Sequence, residues 1–88
     1  MTIDIKLAIM SEDKCINHLR NGETATIVGY RPEDIPIKIY EMGLLPGVTL
    51  TKKQQLPFNG PVYLRIQDSP NAIALRKAEA DLILIESL

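Results

Sequence analysis

Cys15 and His18 are the single cysteine and the single histidine of the chain, and they lie three residues apart. On a helix this spacing places both side chains on one face, where a soft metal ion could bind to both. Two ligands do not complete a zinc site, which usually has four. The pair is therefore the one candidate for metal binding or metal sensing, beside the alternative that neither residue has a chemical role.

The remaining titratable side chains give little basis for catalysis. The carboxylate pairs Glu12-Asp13 and Glu33-Asp34 consist of adjacent residues, which point to different sides of most elements and make a poor acid–base dyad. The sequence contains no glycine-rich phosphate-binding motif, no G-x-S-x-G and no H-E-x-x-H. We therefore predict a protein that is not an enzyme, with no catalytic residues and no cofactor.

The composition is that of one globular domain. The chain has 88 residues, of which 45% are hydrophobic and 24% charged, and its net charge is -1. No apolar run approaches the roughly 20 residues that span a bilayer, and the start, MTIDIKLAIMSEDK, does not resemble a signal peptide. The single cysteine excludes an internal disulfide. These features predict a cytoplasmic protein that is not inserted in a membrane.

Positive charge is concentrated in the second half of the chain. Between Val48 and Lys77 there is one acid, Asp68, against the basic residues Lys52, Lys53, Arg65, Arg76 and Lys77. Together with Phe58 and Tyr63 this region could contact RNA, because aromatic rings stack on bases and cations meet phosphates. Aromatic residues are sparse, however, and a solvated, mildly basic face explains the pattern better. We predict no nucleic-acid partner.

The stretch from Ile35 to Gly47 is expected to position the other elements, because it combines a helix pattern with a clear stop. Asp34 can cap the helix, and Pro36 suits its first turn. The apolar residues Ile35, Ile39 and Met42 have the i, i+4, i+7 spacing of one buried face, and Gly43 can adopt the positive φ that ends a helix. Pro46-Gly47 then predicts a type II turn.

Short strands are predicted on both sides of this helix. Asn59-Gly60 predicts a hairpin turn within LPFNGP, because both residues tolerate positive φ. In strand 48–55, Val48 and Leu50 face the core and the polar end, Lys52 to Gln55, projects from it. A single helical turn is predicted over Arg76 to Ala80. The predicted strands are Thr24 to Tyr30, Val48 to Gln55, Pro61 to Asp68, Ala72 to Leu75 and Leu82 to Ile85.

These elements predict a mostly β fold. About five short strands, with one short helix between the first two main strands, fit a small closed barrel, because closure buries the apolar faces and removes the sheet edges. The periodicity of residues 1–21 is mixed, and we interpret them as an N-terminal covering segment, in which Ser11 could cap a short helix through Leu19. The domain itself is placed at residues 22–88.

Several segments together resemble the FeoA family of ferrous-iron transport accessory proteins. They are MGLLPG at residues 42–47 with Lys38 and Ile39 just upstream, the strand VTLTKKQ, the hairpin PFNGPVYLRI and the closing IALRKAEADLILI at residues 73–85. The resemblance runs from about Gly22 to Glu86. Similar domains follow the DNA-binding winged helix of DtxR-type metal-dependent repressors. No helix-turn-helix fits in this chain, which favours a free-standing accessory protein.

The resemblance implies an SH3-like β-barrel that acts without chemistry on a membrane partner. That partner is a FeoB-type transporter with a cytoplasmic GTP-binding domain, which would keep the protein in the cytoplasm, peripheral to the inner membrane. The family signature falls on Lys38, Ile39, Met42, Gly43, Leu44, Pro46 and Gly47, and the closing signature on Leu75, Arg76, Glu79 and Ala80. These residues are interpreted as mainly architectural.

We predict docking through the exposed side of the helix and the following turn. The expected contacts are Lys38, Tyr40, Leu44 and Leu45, because apolar residues just past a helix end are either buried or used. One alternative is a regulator of the transporter's GTP hydrolysis, with Arg31 or Arg65 offered to a phosphate. The other is a transition-metal sensor in which Fe(II) associates with Cys15 and His18.

Overall fold

The computed structural model describes residues 14–31 and 35–87, in which six β-strands form one antiparallel sheet. The order of the strands across the sheet is β1-β6-β2-β3-β4-β5. Along the chain the elements are β1 Lys14–Cys15, a 3-10 helix Ile16–His18, β2 Thr24–Tyr30, α1 Ile37–Glu41, β3 Thr49–Gln55, β4 Val62–Ile66, β5 Ala72–Leu75, α2 Lys77–Ala80 and β6 Ile83–Ser87.

The predicted fold class is confirmed. The protein is mostly β, and the short helix α1 lies between β2 and β3, which are the first two main strands. β2 and β5 have the predicted bounds, and β3, β4 and β6 differ from the prediction only at their ends. β-branched residues, flanking turn signals and alternation of apolar and polar residues were therefore together sufficient to locate these five strands. The strand that they did not locate is β1.

The sheet is not closed, which corrects the expectation of a closed barrel. Among the described strands, β1 pairs with β6 alone and β5 with β4 alone, so both are edges. With two and four residues, these edges are too short to attract other strands strongly. The elements that follow the two edge strands meet instead, since Asn17 Nδ2 of the 3-10 helix donates to the Lys77 carbonyl of α2 at 2.9 Å.

The core lies inside the curl of this sheet. Irregularities in the register at Ile27–Gly29 in β2 and at Lys52–Gln54 in β3 bend the two strands, as β-bulges do. The buried apolar side chains inside the curl are Ile16, Leu19, Ala25, Ile27, Ile39, Leu44, Leu50, Val62, Leu64, Leu75, Ala80, Ile83 and Ile85. Every described strand except β1 contributes to this cluster.

The end of α1 has the predicted glycine stop. Gly43 has φ +82°, its N–H donates to the Tyr40 carbonyl at 3.0 Å, and the Leu44 N–H donates to the Ile39 carbonyl at 3.2 Å. These two bonds define a Schellman motif, in which the residue after the glycine packs back on the helix. Leu44 and Ile39 are accordingly both fully buried. Asp34, the expected N-cap, lies outside the described residues, and Pro36 occupies the cap position.

The hairpin between β3 and β4 is present, but its turn is displaced by one residue from the prediction. Positive φ occurs at Phe58 (59°) and Asn59 (61°), and Gly60 is not among the residues with positive φ. Gly60 is required for a different reason: a Cβ there would lie 2.8 Å from the Leu56 Cβ and 3.0 Å from the Pro57 carbonyl oxygen. The glycine therefore permits a close approach of the backbone at the end of the turn.

The prediction that the polar end of β3 projects from the core is wrong for Lys52. Its side chain is only 2% exposed, and it lies on the same strand face as Leu50. Lys52 Nζ donates to the carbonyls of Leu19 at 2.8 Å and Asn17 at 3.4 Å, and to Gln55 Oε1. Burial lowers the pKa of Lys52. The predicted basic face therefore lacks one of its five cations.

The described part of the N-terminal segment contributes to the fold. Lys14 pairs with Ile85 and Cys15 with Leu84 in the sheet, and Ile16 and Leu19 are buried in the core. In these residues the helix is a single 3-10 turn, Ile16–His18. The rest of the predicted covering segment, residues 1–13, including Ser11, lies outside the described residues.

Candidate docking surface

The exposed side of α1 and the turn after it carry large apolar side chains. Ile37 is 71% exposed, Tyr40 44% and Leu45 43%, and the Lys38 side chain beside them is 48% exposed. We call these four residues the α1 surface. Exposed aliphatic and aromatic groups on one short helix and its turn are typical of a protein-binding surface.

Tyr30 of β2 holds the α1 surface against the sheet. Its hydroxyl donates to the Leu44 carbonyl at 2.7 Å, and its ring meets the Tyr40 ring edge-on, with centroids 5.6 Å apart and an interplanar angle of 74°. Burial raises the pKa of the Tyr30 hydroxyl, so it stays protonated and able to donate this hydrogen bond. Tyr40 is therefore supported on one side by Tyr30 while its other side faces solvent.

Two further contacts fix the helix and the turn. Lys38 Nζ lies 2.7 Å from Glu79 Oε2 of α2, and this pairing is the main reason why the pKa of Glu79 is lowered. The Gly47 N–H donates to the Ile27 carbonyl of β2 at 2.7 Å, which anchors the turn that presents Leu45. Gly47 has φ +94°, and the Val48 N–H donates to the Leu45 carbonyl at 3.0 Å, which agrees with the predicted type II turn.

The four predicted contact residues have different environments. Tyr40 and Leu45 are exposed, Lys38 is exposed but already paired with Glu79, and Leu44 is fully buried. The Leu44 side chain is therefore a core group that fixes the turn, and it is not available to a partner. Ile37, the most exposed residue of the surface, was missed, although its position off the Ile35–Ile39 stripe was a signal that it faces solvent.

Cys15 and His18 do contact each other, but they do not share the face of a helix. Cys15 Sγ lies 3.5 Å from His18 Nδ1 and 3.4 Å from Asp81 Oδ1, and the Cys15 N–H donates to His18 Nδ1 at 3.0 Å. Cys15 precedes the 3-10 helix, and His18 caps the Cys15 backbone, which occupies the lone pair that Nδ1 would offer to a metal. In residues 14–31 and 35–87, no group of three or more His, Cys, Asp and Glu side chains is placed to hold a metal ion.

The two arginines considered for a role in GTP hydrolysis make contacts within the chain. Arg31 Nε donates to the Asp81 carbonyl at 3.1 Å, and Arg65 Nε donates to the Ser69 carbonyl at 3.2 Å. Both side chains are exposed. The carboxylate pairs Glu12-Asp13 and Glu33-Asp34 lie outside the described residues.

Among residues 14–31 and 35–87, two large exposed apolar side chains lie outside the α1 surface. Val28 of β2 is 53% exposed, and Phe58, in the turn between β3 and β4, is 98% exposed. The sequence analysis considered Phe58 only as a possible RNA contact of the basic region, and its near-complete exposure in the predicted turn was not foreseen. In the described part of the chain, no helix is both long and apolar enough to cross a membrane.

Known proteins share the architecture of this chain. The model of the FeoA domain matches residues 14–87. A FeoA-like protein from Clostridium acetobutylicum is similar in structure, with 28% identity, a TM-score of 0.74 and coverage of 86% of this chain and 87% of that one. Iron(II) transport protein A from Clostridium thermocellum has 32% identity and a TM-score of 0.72, over 85% of this chain and 46% of that one.

A manganese-dependent transcriptional repressor shares the fold at 19% identity, with a TM-score of 0.77 over 88% of this chain and 37% of that one. None of the curated proteins compared with the chain matches it.

Proposed function

Because the chain belongs to the FeoA family, we propose that it is a non-enzymatic accessory protein of ferrous iron uptake that binds a FeoB-type transporter. In this proposal it works in the cytoplasm and docks through the α1 surface on the transporter's cytoplasmic GTP-binding domain. Membership of the family supports a role in iron uptake. The docking site is proposed from the geometry of α1 and its turn.

The observation that carries the docking proposal is the exposure of Ile37, Tyr40 and Leu45 on a rigid support. Binding energy at interfaces is concentrated in a few large side chains, and aromatic residues are enriched among them. A residue that is held in place before binding loses little conformational entropy when the partner arrives. Tyr40, backed by the Tyr30 ring, meets both conditions.

The test is the affinity of the purified chain for the transporter's cytoplasmic domain. We expect Leu45→Asp to weaken binding at least about tenfold, because a carboxylate would have to be desolvated in the interface. Phe58→Asp is the matched control, since it introduces the same charge at an exposed apolar residue outside the α1 surface. A folded Leu45→Asp protein that binds with unchanged affinity would contradict the docking proposal.

The rate of GTP hydrolysis by the same domain separates an adaptor from a regulator. An adaptor that only docks leaves the rate unchanged when saturating amounts of the chain are added. A change in rate that disappears in Arg31→Ala or Arg65→Ala would instead favour a direct contribution of that arginine to the transition state, as an arginine finger makes.

A further inference from the structure

The turn Pro57–Gly60, which we call the hairpin tip, presents one aromatic side chain to solvent. Phe58 is 98% exposed, far more than any other large apolar residue in the described part of the chain. The Gly60 N–H donates to the Pro57 carbonyl at 3.1 Å, and the Leu56 N–H donates to the Pro61 carbonyl at 3.1 Å, so the backbone of the tip is hydrogen-bonded on both sides. The ring is thus carried on an ordered turn.

The backbone at the hairpin tip is unfavourable for phenylalanine. Phe58 and Asn59 have φ values of 59° and 61°, and positive φ at both central residues is the mark of a type I′ turn. Asn, Asp and Gly favour these positions, whereas a bulky residue there is strained. An aromatic residue that is both strained and exposed does not stabilise the folded chain, which points to a use outside it.

Cationic side chains lie beside the hairpin tip. Lys77 Nζ lies 2.9 Å from Asn59 Oδ1, which brings its ammonium group to the base of the turn. Arg76 and Lys77 line the cleft next to Asn59 and Pro61. The one acidic residue of this cleft, Asp81, accepts a hydrogen bond from Cys15 Sγ. The Lys77 ammonium group therefore lies at the base of the turn that carries Phe58, and the cleft beside this turn is lined by two cations and one carboxylate.

We propose that the hairpin tip is a lipid contact, in which Phe58 inserts into the interfacial layer of an anionic membrane while Lys77 and Arg76 face the phosphate groups. The Phe58 ring projects from the turn and does not enter a groove of this chain. A soft surface that can deform around the ring is therefore a suitable partner. Aromatic side chains enter the headgroup layer, and nearby lysine and arginine are attracted to anionic lipids. Binding to bilayers does not require the proposed transporter partner, so it is tested separately from it.

The chemistry predicts a weak and reversible association. Burial of one phenylalanine ring changes a partition coefficient by about tenfold or more, and each cation near an anionic surface contributes about fivefold. Together these increments are smaller than that of a single lipid anchor, which itself binds only marginally on its own. The hairpin tip therefore orients a protein that a second contact holds at the membrane.

The experiment is sedimentation of the purified full chain with vesicles of phosphatidylglycerol and phosphatidylethanolamine in equal amounts. We expect Phe58→Ser to lower the partition coefficient at least about tenfold and Lys77→Gln about fivefold. Vesicles of phosphatidylcholine alone should bind weakly and should not distinguish Lys77→Gln from the wild type. Ile37→Ser is the matched control, because it removes an apolar side chain with 71% exposure from the α1 surface.

Folding is not at risk in the Phe58→Ser variant, because the ring makes almost no contact with the rest of the chain. Absence of wild-type binding at the highest lipid concentration would overturn the proposal. Equal losses in Phe58→Ser and Ile37→Ser would also overturn it, since they would indicate general adhesion of apolar surface. Wild-type affinity of Phe58→Ser for vesicles, together with lost affinity for the transporter domain, would assign the hairpin tip to a protein partner.

Discussion

In the part of the chain that the structure describes, Lys52 is a charged residue in an otherwise apolar core. Its ammonium group has three acceptors, the carbonyls of Leu19 and Asn17 and the side chain of Gln55. The first two belong to the segment around the 3-10 helix, so the lysine links that segment to β3. Desolvating the ammonium group of Lys52 costs free energy when the chain folds. Removing the group, however, would leave its three acceptors without a donor.

We expect Lys52→Met to lower the free energy of unfolding by about 2 kcal/mol at neutral pH, because the stem is kept and the donor is lost. Since burial lowers the pKa of Lys52 below 10.5, the folded chain binds fewer protons than the unfolded chain at alkaline pH. Stability of the wild type relative to the variant should therefore rise as the pH approaches 10.5. Urea denaturation at a series of pH values measures both effects.

The control for this substitution is Lys53→Met, because Lys53 is exposed on the same strand. It should leave the free energy of unfolding at neutral pH nearly unchanged. Equal effects of the two substitutions would mean that the contacts of Lys52 contribute nothing to stability.

Strand alternation already indicates that Lys52 lies inward, because Val48, Leu50 and Lys52 are spaced by two residues. A lysine in that position is normally assigned to solvent, and the sequence does not show that the carbonyls of Leu19 and Asn17 come within reach of it. Local patterns specified the strand, whereas the environment of its side chain depended on a contact between distant parts of the chain.

At the scale of elements, the helix end was predicted more completely than the hairpin. Gly43 ends α1 as expected, since only glycine adopts a φ of +82° without steric cost. The Schellman motif then dictates that Leu44 returns to the core, which separates it from the exposed Leu45. The sequence showed two adjacent leucines after a stop, and only the hydrogen bonds of the motif decide which of them is available for binding.

The conformational role of Gly43 is tested by Gly43→Ala. A Cβ there would lie 3.8 Å from Ile66 Cδ1, an ordinary contact, so the cost arises from the backbone alone. We expect a loss of about 1 kcal/mol in the free energy of unfolding, measured by chemical denaturation. Gly29→Ala is the matched control, because Gly29 has no atom within 4 Å of a Cβ and no positive φ. A loss as large at Gly29 would refute this explanation.

At the scale of the whole molecule, the sheet remains open because its outer strands are very short. Closure was expected from the need to protect edges, but a two-residue β1 exposes little edge to protect. A strand of two residues is too short to show the alternation of apolar and polar residues, so β1 was not predicted. The contacts between the 3-10 helix and α2 bring the ends of the sheet together without a strand pairing.

Residues 14–19 contact the sheet and could either unfold together with it or open separately from it. Ile16 is fully buried in the same cluster as Leu64 of β4. If the segment belongs to one cooperative unit, Ile16→Ala should lower the global free energy of unfolding by about 2 to 5 kcal/mol, and we expect the same of Leu64→Ala. Both variants should unfold in a single transition by circular dichroism and by the fluorescence of the tyrosines.

A covering segment would behave differently. Ile16→Ala would then leave the main transition in place, while Leu64→Ala would shift it, because local opening of a cover does not require the sheet to unfold. Native-state hydrogen exchange distinguishes the two cases at the Cys15 N–H, which lies within the segment and donates to His18 Nδ1. If the Cys15 N–H exchanges only at the rate of global unfolding, the segment belongs to the cooperative fold. The contacts that Lys52 and Asn17 make would then break only when the sheet itself opens.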